Sequence, residues 1–188
     1  AVMSHLFGGS DYLFPYIIKE AFEIQDLPFY IALGALAAFF SIYFNRVYFG
    51  VEKLMERIGN PYLKLFLGGL AIGGLIYLIP PLYGEGYSTI NYLLNGELQS
   101  VLRDNIFADK LDSELMIILL LLGLVLFKGV ATSLTLHAGG VGGIFAPTLF
   151  MGSALGYVFA RVVNYFGISD LSESNFSLVG MAALLSGV

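Results

Sequence analysis

A run of glycines near residue 140 is the part of this sequence with the clearest potential for chemistry. Residues 138–149 are AGGVGGIFAPTL, with four glycines in five residues before an apolar stretch that contains Pro147. Such a run must end the preceding helix, and a new helix that begins at membrane depth directs its first N–H groups and the positive end of its dipole towards a cavity. These residues alone therefore indicate either a site for a small anion or a flexible turn between two helices.

The residue types in this run also suit an ion that has to leave again. Glycine permits the turn and lets an ion approach the main-chain amides without a Cβ atom in the way. An anion held by amides rather than by lysine or arginine is bound weakly enough to be released, as conduction requires. If the run is a site, it is therefore more typical of permeation than of tight binding.

Two ionisable residues, Lys128 and His137, lie inside or just after an apolar stretch that precedes the glycines. Ionisable groups at membrane depth are candidates for function. Lys128 either attracts anions or pairs within a helix bundle. His137 either titrates at the mouth of a pathway or is a hydrogen-bonded residue near a helix end. The pairing within the bundle and the hydrogen-bonded histidine are the interpretations we favour.

Ser133 and His137 are four residues apart, so they share one face of a helix and raise an intramembrane serine protease as a second class of function. Such an enzyme also needs an oxyanion hole, which this pair does not supply. The simpler expectation is that the hydroxyls of Thr132, Ser133 and Thr135 bond to carbonyl groups one turn earlier. His5 is far from His137 in sequence, so no metal site is predicted.

The elements that must position these residues follow from the composition. The chain has 188 residues, of which 57% are hydrophobic and 12% charged, and its net charge is −5. Soluble domains contain about 25% charged residues, so a water-soluble monomer is not expected. The acidic balance argues against a nucleic-acid partner. The absence of cysteine excludes disulfides and thiolate metal sites within the chain.

Four apolar segments, at residues 27–44, 65–83, 115–136 and 144–160, predict an all-α fold of multi-pass transmembrane helices. The helices vary in length, and the last two form a broken, partly re-entrant pair at the glycine-rich turn. Pro28 suits a helix start. Gly69 and Gly73 predict a face for close helix packing, with local unwinding at a site as the alternative.

The charges of the connecting segments predict an orientation. Residues 45–64 contain four basic and two acidic residues, whereas residues 84–114 contain two basic and six acidic ones. The positive-inside rule places residues 45–64 in the cytoplasm and residues 1–26 and 84–114 outside. Counting crossings from there places residues 137–147 on the cytoplasmic side or within the membrane, and residues 161–175 outside. Residues 51–58 predict an interfacial helix, and residues 87–94 and 98–106 predict two short solvated or interfacial helices, separated at Asn95 and Gly96, that have no chemical role.

Residues 139–152, GGVGGIFAPTLFMG, closely resemble the GxFxP element of the CLC family of chloride channels and chloride/proton antiporters. The segments AVMSHLFG, LPFYIALGALA, FNRVYFG, GEGYSTINYLL, LFKGVATSLTL and FSLVGMAALLSG occur in the order of that family's fold. The resemblance covers essentially the whole chain, and it favours the anion site over the flexible turn.

The resemblance implies that the main-chain amides of Ile144 and Phe145 coordinate the anion. These residues begin the helix that contains Ala146 and Pro147, and Gly142 and Gly143 form the turn that lets the ion approach. By the same resemblance the protein is a homodimer with one pore per subunit, lies in the plasma or inner membrane, transports chloride or a similar small anion, and uses no cofactor and no enzymatic chemistry.

Other elements of the CLC family do not occur in this sequence. The GSGIP-like and GREGP-like segments would lie before Ala1, and the pore-lining tyrosine after Val188. The apolar run at residues 178–188 is also too short to span a membrane. We therefore expect residues 1–188 to be a single fragment of a CLC-type transmembrane domain, incomplete at both ends. The choice between channel and antiporter stays open, as does a structural membrane protein that transports nothing.

Overall fold

The computed structural model describes residues 23–103 and 113–188, and every regular element in these ranges is helical. The helices are α1 (Leu27–Glu56), α2 (Pro61–Leu78), α3 (Tyr87–Leu94), α4 (Leu98–Arg103), α5 (Glu114–His137), α6 (Phe145–Tyr165) and α7 (Glu173–Leu185). Single turns of 3-10 helix, Ile24–Asp26 and Pro80–Leu82, precede α1 and follow α2. The predictions for residues 1–22 and for the end of the second short helix at residue 106 lie outside the described residues.

The prediction of an all-helical membrane protein is confirmed. Four helical segments are long and apolar enough to cross a membrane, namely Ile24–Glu56, Pro61–Leu78, Glu114–His137 and Phe145–Tyr165. Each contains most of one predicted apolar segment. Proline stands in the first turn of both α1 and α2, where a missing N–H group leaves no helical hydrogen bond unmade.

Helix α1 is longer than the sequence suggests. It continues without a break to Glu56, so residues 51–56, which were predicted to be helical, form its last turns. The charged residues that begin at Arg46 end the apolar stretch but not the helix. The helix ends only before Gly59, Asn60 and Pro61, and the Asn60 side chain then caps the start of α2.

Helix α6 lies at the centre of the protein. In its most apolar stretch 83% of the residues are buried, compared with 6% in α2. It packs most extensively against α7, and also against α5 and α3. Its crossing with α7 is very close, because Gly152 and Gly156 face the main chain at Gly180 and Phe176 with no room for a Cβ atom.

Helix α2 lies at the periphery and contacts mainly α5 and the following 3-10 turn. The glycine at this contact is Gly68, which faces the Cβ atom of Ala138, whereas no atom lies within 4 Å of a Cβ built at Gly69 or Gly73. No described residue packs against Gly69 or Gly73, so the packing face stays a prediction. The alternative of local unwinding is wrong, because the helix is continuous through both positions.

The short helices α3 and α4 follow the predicted pattern, but they are not solvated. The buried residues on α3 are Thr89, Ile90, Leu93 and Leu94, and α3 packs against α6 and α7. Gly86, which precedes α3, has a φ of 84° and lies directly against the ring of Phe150. The two predicted short helices are thus present, but α3 packs inside the protein and is not the solvated helix that was one of the expectations.

An ion-pair network joins the ends of three helices. Arg161, near the end of α6, donates from Nε and Nη2 to the carboxylate of Glu114 at 3.0 and 2.9 Å. Its Nη1 donates to Glu173 at 3.0 Å. Because Glu114 begins α5 and Glu173 begins α7, one guanidinium group fixes the relative positions of α5, α6 and α7 at this end of the bundle.

Candidate functional site

The turn between α5 and α6 is shaped by two of its glycines. Gly139 has a φ of 112°, a conformation that residues with a side chain rarely adopt. The Gly140 N–H group donates to the Thr135 carbonyl oxygen at 2.9 Å, and a Cβ atom at Gly140 would lie 2.6 Å from that oxygen. Gly139 and Gly140 therefore allow the chain to leave α5 sharply.

Gly142 and Gly143 have a different environment. Neither has a positive φ. A Cβ atom at Gly142 would lie 3.4 Å from Leu136 Cδ2, and one at Gly143 would have no atom within 4 Å. The turn was expected at Gly142 and Gly143, but the backbone constraints lie at Gly139 and Gly140. Gly142 and Gly143 instead leave space beside the main chain.

The N-terminus of α6 keeps free main-chain donors. No side chain caps it at Ile144. The first helical bond runs from the Thr148 N–H group to the Ile144 carbonyl oxygen at 3.0 Å, and Pro147 has no N–H group. The N–H groups of Phe145 and Ala146 thus have no acceptor within the helix, as is general for a first turn.

A cavity of about 470 Å³ lies beside this helix start. Its walls come from α2, from residues 82–87, from α5 and from the turn into α6. The residues that line it are Ile72, Ile76, Leu82, Tyr83, Gly84, Glu85, Tyr87, Lys128, Ala131, Thr132, Thr135, Leu136, Val141, Gly142, Gly143, Phe145, Ala146 and Pro147.

Of the six residues expected at an anion site, the cavity brings together all except Ile144. Lys128, Thr132 and Thr135 also line it, whereas Ser133 and His137 do not. Residues 82–87 were not predicted to belong here. The signals for them were the Pro80 and Pro81 pair and the resemblance of GEGYSTINYLL to a CLC segment, and neither shows where this part of the chain packs.

Lys128 lies in the wall of this cavity and is 2% exposed. Its Nζ donates to the carbonyl oxygens of Leu82 at 3.1 Å and Gly84 at 2.7 Å, and it lies 4.7 Å from the centre of the Phe150 ring. The expected pairing within the bundle is confirmed. The lysine connects the middle of α5 to the chain that follows α2.

The hydroxyl groups of α5 bond to the main chain one turn earlier, as predicted. Thr132, Ser133 and Thr135 donate to the carbonyl oxygens of Lys128, Gly129 and Ala131 at 2.8, 2.7 and 2.8 Å. All three hydroxyls are therefore satisfied within their own helix.

His137 lies at the end of α5, as expected of a hydrogen-bonded histidine near a helix end. Its Nδ1 is 2.9 Å from the Ser133 carbonyl oxygen, and its Nε2 is 3.9 Å from the Glu52 carboxylate. The imidazole thus contacts the main chain of Ser133 and not its hydroxyl, so these two residues do not form a nucleophile and its base. In residues 23–103 and 113–188 no three His, Asp or Glu side chains gather as metal ligands would.

Comparison with known proteins agrees with this geometry. The sequence model of a family described as "Voltage gated chloride channel" matches residues 1–188. Chloride channel protein CLC-e of Arabidopsis thaliana is 30% identical over 203 residues, an alignment that covers 100% of this chain and 27% of that protein. The chain thus spans about a quarter of that relative's length.

These matches bear on the interpretations that the sequence left open. A family described as chloride channels agrees with the prediction that the protein is not an enzyme. The match also extends over the glycine turn, α6 and the cavity wall rather than over one short motif. The chain belongs to the voltage gated chloride channel family, as the likeness of residues 139–152 to the CLC proteins predicts.

Proposed function

We propose that the protein to which this chain belongs transports chloride or a similar small anion across a membrane. The observation that supports this most directly is the cavity, because the glycine-flanked start of α6 and Lys128 both line this one space of about 470 Å³. Main-chain donors and a lysine at membrane depth suit an anion better than a cation or a neutral solute.

In this proposal the anion is bound by backbone amides. The N–H groups of Ile144 and Phe145 coordinate it, and the dipole of α6 adds favourable potential at the helix start. Gly142 and Gly143 leave the space through which the ion approaches, while Ala146 and Pro147 complete the first helical turn. No positively charged side chain closes on the ion directly, so the ion can leave.

The remaining features of the proposal concern the whole protein. It acts as a homodimer with one pore in each subunit, in the plasma or inner membrane, and is either a passive channel or a chloride/proton antiporter. A reversal-potential measurement across a pH gradient distinguishes the two, because only proton-coupled exchange makes the reversal potential depend on the pH difference.

Chloride efflux from liposomes that contain the full-length protein tests the transport proposal. Gly143 lines the cavity, and a Cβ atom there has no other atom within 4 Å, so Gly143→Val adds a side chain beside the helix start. We expect this variant to fold and to lose chloride flux, and Gly142→Val to do the same. Gly73→Val, on the exposed side of α2, is the matched control and should keep its flux. Undiminished flux in Gly143→Val would contradict the proposal.

Bromide provides a direct test of the amide site. Crystals of the full-length protein grown in bromide should show anomalous density beside the amides of Ile144 and Phe145. A bromide peak in the same cavity but against other groups would argue for transport with a different binding site.

A further inference from the structure

Lys128 has a feature that its hydrogen bonds do not explain. Lys128 lines the cavity and is only 2% exposed, yet none of the salt bridges among the described residues involves it. The carbonyl oxygens of Leu82 and Gly84 and the Phe150 ring solvate its ammonium group. Such dipoles reduce the cost of burying a charge, but they do not neutralise it.

The contrast with Arg161 shows that this arrangement is specific to the cavity. Arg161 bonds to two carboxylates, Glu114 and Glu173, although its side chain is 20% exposed. Among the described residues, the less exposed cation thus has no carboxylate within salt-bridge distance, and the more exposed one has two. A bundle that required a lysine only to tie α5 to residues 82–84 would also be served by a neutral donor.

One carboxylate does line the same cavity. Glu85 follows directly after Gly84, which accepts a hydrogen bond from Lys128, and its side chain is exposed. Among the described residues, Lys128 is the one basic side chain that lines the cavity and Glu85 is the one acidic side chain. Because water screens an exposed charge more strongly than a buried one, the potential inside the cavity is dominated by the lysine.

We propose that Lys128 sets the anion affinity of the cavity by its unneutralised charge, and that Glu85 opposes it. The inference rests on the proposed function, since it concerns an anion at the start of α6. Lys128 acts at a distance, across the cavity, rather than as a ligand. The amides of α6 then fix where the anion lies, and the lysine and glutamate determine how often the site is occupied at a given chloride concentration.

The test uses the full-length protein in liposomes, with chloride flux measured as a function of chloride concentration. Lys128→Gln removes the charge and keeps a side-chain donor. We expect it to raise the half-saturating chloride concentration by roughly tenfold, the effect of one unit charge across such a cavity at the effective dielectric constant of protein sites. Lys128→Arg keeps the charge and should stay close to the unsubstituted protein.

Glu85→Gln provides the second arm and does not disturb a buried group. It should lower the half-saturating chloride concentration by about twofold, a smaller effect because the carboxylate is exposed. Lys53→Gln removes an exposed lysine of α1 that does not line the cavity, so it should leave this concentration unchanged.

The two proposals fail in different ways. A full-length protein without anion flux would refute the proposed transport itself. Flux with an unchanged half-saturating concentration in both Lys128→Gln and Glu85→Gln would refute only the role of the two charges. If Lys128→Gln does not fold, Glu85→Gln alone tests the inference. A lowered half-saturating chloride concentration in Glu85→Gln supports it, and an unchanged one overturns it.

Discussion

At the scale of single residues, the glycine turn shows why one amino acid occurs four times in a short segment. Gly139 is required by its φ of 112°, and Gly140 by its close approach to the Thr135 carbonyl group. Gly142 and Gly143 meet neither constraint. Their contribution is the absence of a side chain next to the cavity.

This difference predicts unequal effects of alanine. Gly139→Ala should lower the free energy of unfolding by about 1–3 kcal/mol, the usual range for a side chain forced into a sparsely populated backbone conformation. Gly143→Ala should change it little, because no atom lies within 4 Å of the new Cβ. Thermal unfolding of the two variants in the same detergent measures both effects. Equal stability of the two would show that the turn is not strained by a side chain at residue 139.

For a substitution of Phe145 we predict an effect on ion selectivity rather than on stability. Its side chain is 56% exposed and lines the cavity at the first turn of α6. Phe145→Ala widens the cavity beside the helix start, so the ratio of nitrate to chloride permeability should change in bi-ionic flux measurements. Phe166→Ala, just beyond the opposite end of α6 and outside the cavity lining, serves as the control. An unaltered nitrate-to-chloride permeability ratio in Phe145→Ala would show that this ring does not contribute to ion selectivity.

Single residues were predictable where their partners lie on the same helix. The hydroxyls of Thr132, Ser133 and Thr135 bond as expected, because a helix fixes which carbonyl group lies one turn earlier. The glycine at which α2 packs against another helix was not predictable, because the sequence of α2 does not show which helix lies opposite. Gly68 contacts Ala138, and nothing in the sequence of α2 distinguishes it from Gly69.

At the scale of elements, hydropathy located the membrane helices but not their ends. Residues 45–56 continue α1 although charged residues recur there. Charge marks where a helix leaves the hydrocarbon, whereas a helix ends where glycine, asparagine and proline stop its hydrogen bonding. The packing of α3 inside the protein was not predicted for a related reason, since a short amphipathic helix has the same pattern on a protein core as at a membrane surface.

The crossing of α6 and α7 predicts a strong effect from one methyl group. A Cβ atom at Gly156 would overlap the main-chain carbonyl of Phe176, so Gly156→Ala must push the two helices apart. We expect a loss of about 1–3 kcal/mol or more in the free energy of unfolding, as for other overpacked interiors.

Thermal unfolding of the solubilised protein measures this loss. Gly73→Ala is the matched control, because it adds the same methyl group within a helix but in open space. If both variants unfold at the temperature of the original protein, the helices are not in the close contact described here.

At the scale of the whole molecule, charged residues are few, and the basic ones within the bundle have defined bonding partners. Only 12% of the residues are charged, and the two basic side chains on α5 and α6 are both held in place, Arg161 by carboxylates and Lys128 by carbonyl groups. The class of protein and the glycine segment could be predicted from the sequence. The cavity could not, because it is formed by chain segments that are distant in sequence.

The orientation in the membrane remains a prediction, and introduced cysteines can test it. The chain contains no cysteine. In intact cells a membrane-impermeant maleimide should label Asp170→Cys, between α6 and α7, whereas Gly59→Cys, between α1 and α2, should react only after permeabilisation. The unsubstituted full-length protein controls for cysteines elsewhere. The reverse pattern would mean that the excess of basic residues at 45–64 faces outwards.

The open space at Gly143 has a consequence for how such a site can be altered. Because the bend of the chain depends on Gly139 and Gly140, a designer can vary residue 143 without having to re-engineer the backbone path. Side chains of graded size at this one position would narrow the cavity step by step. If the proposed transport is correct, the chloride flux should fall in steps as the side chain at residue 143 grows, while the backbone path stays the same.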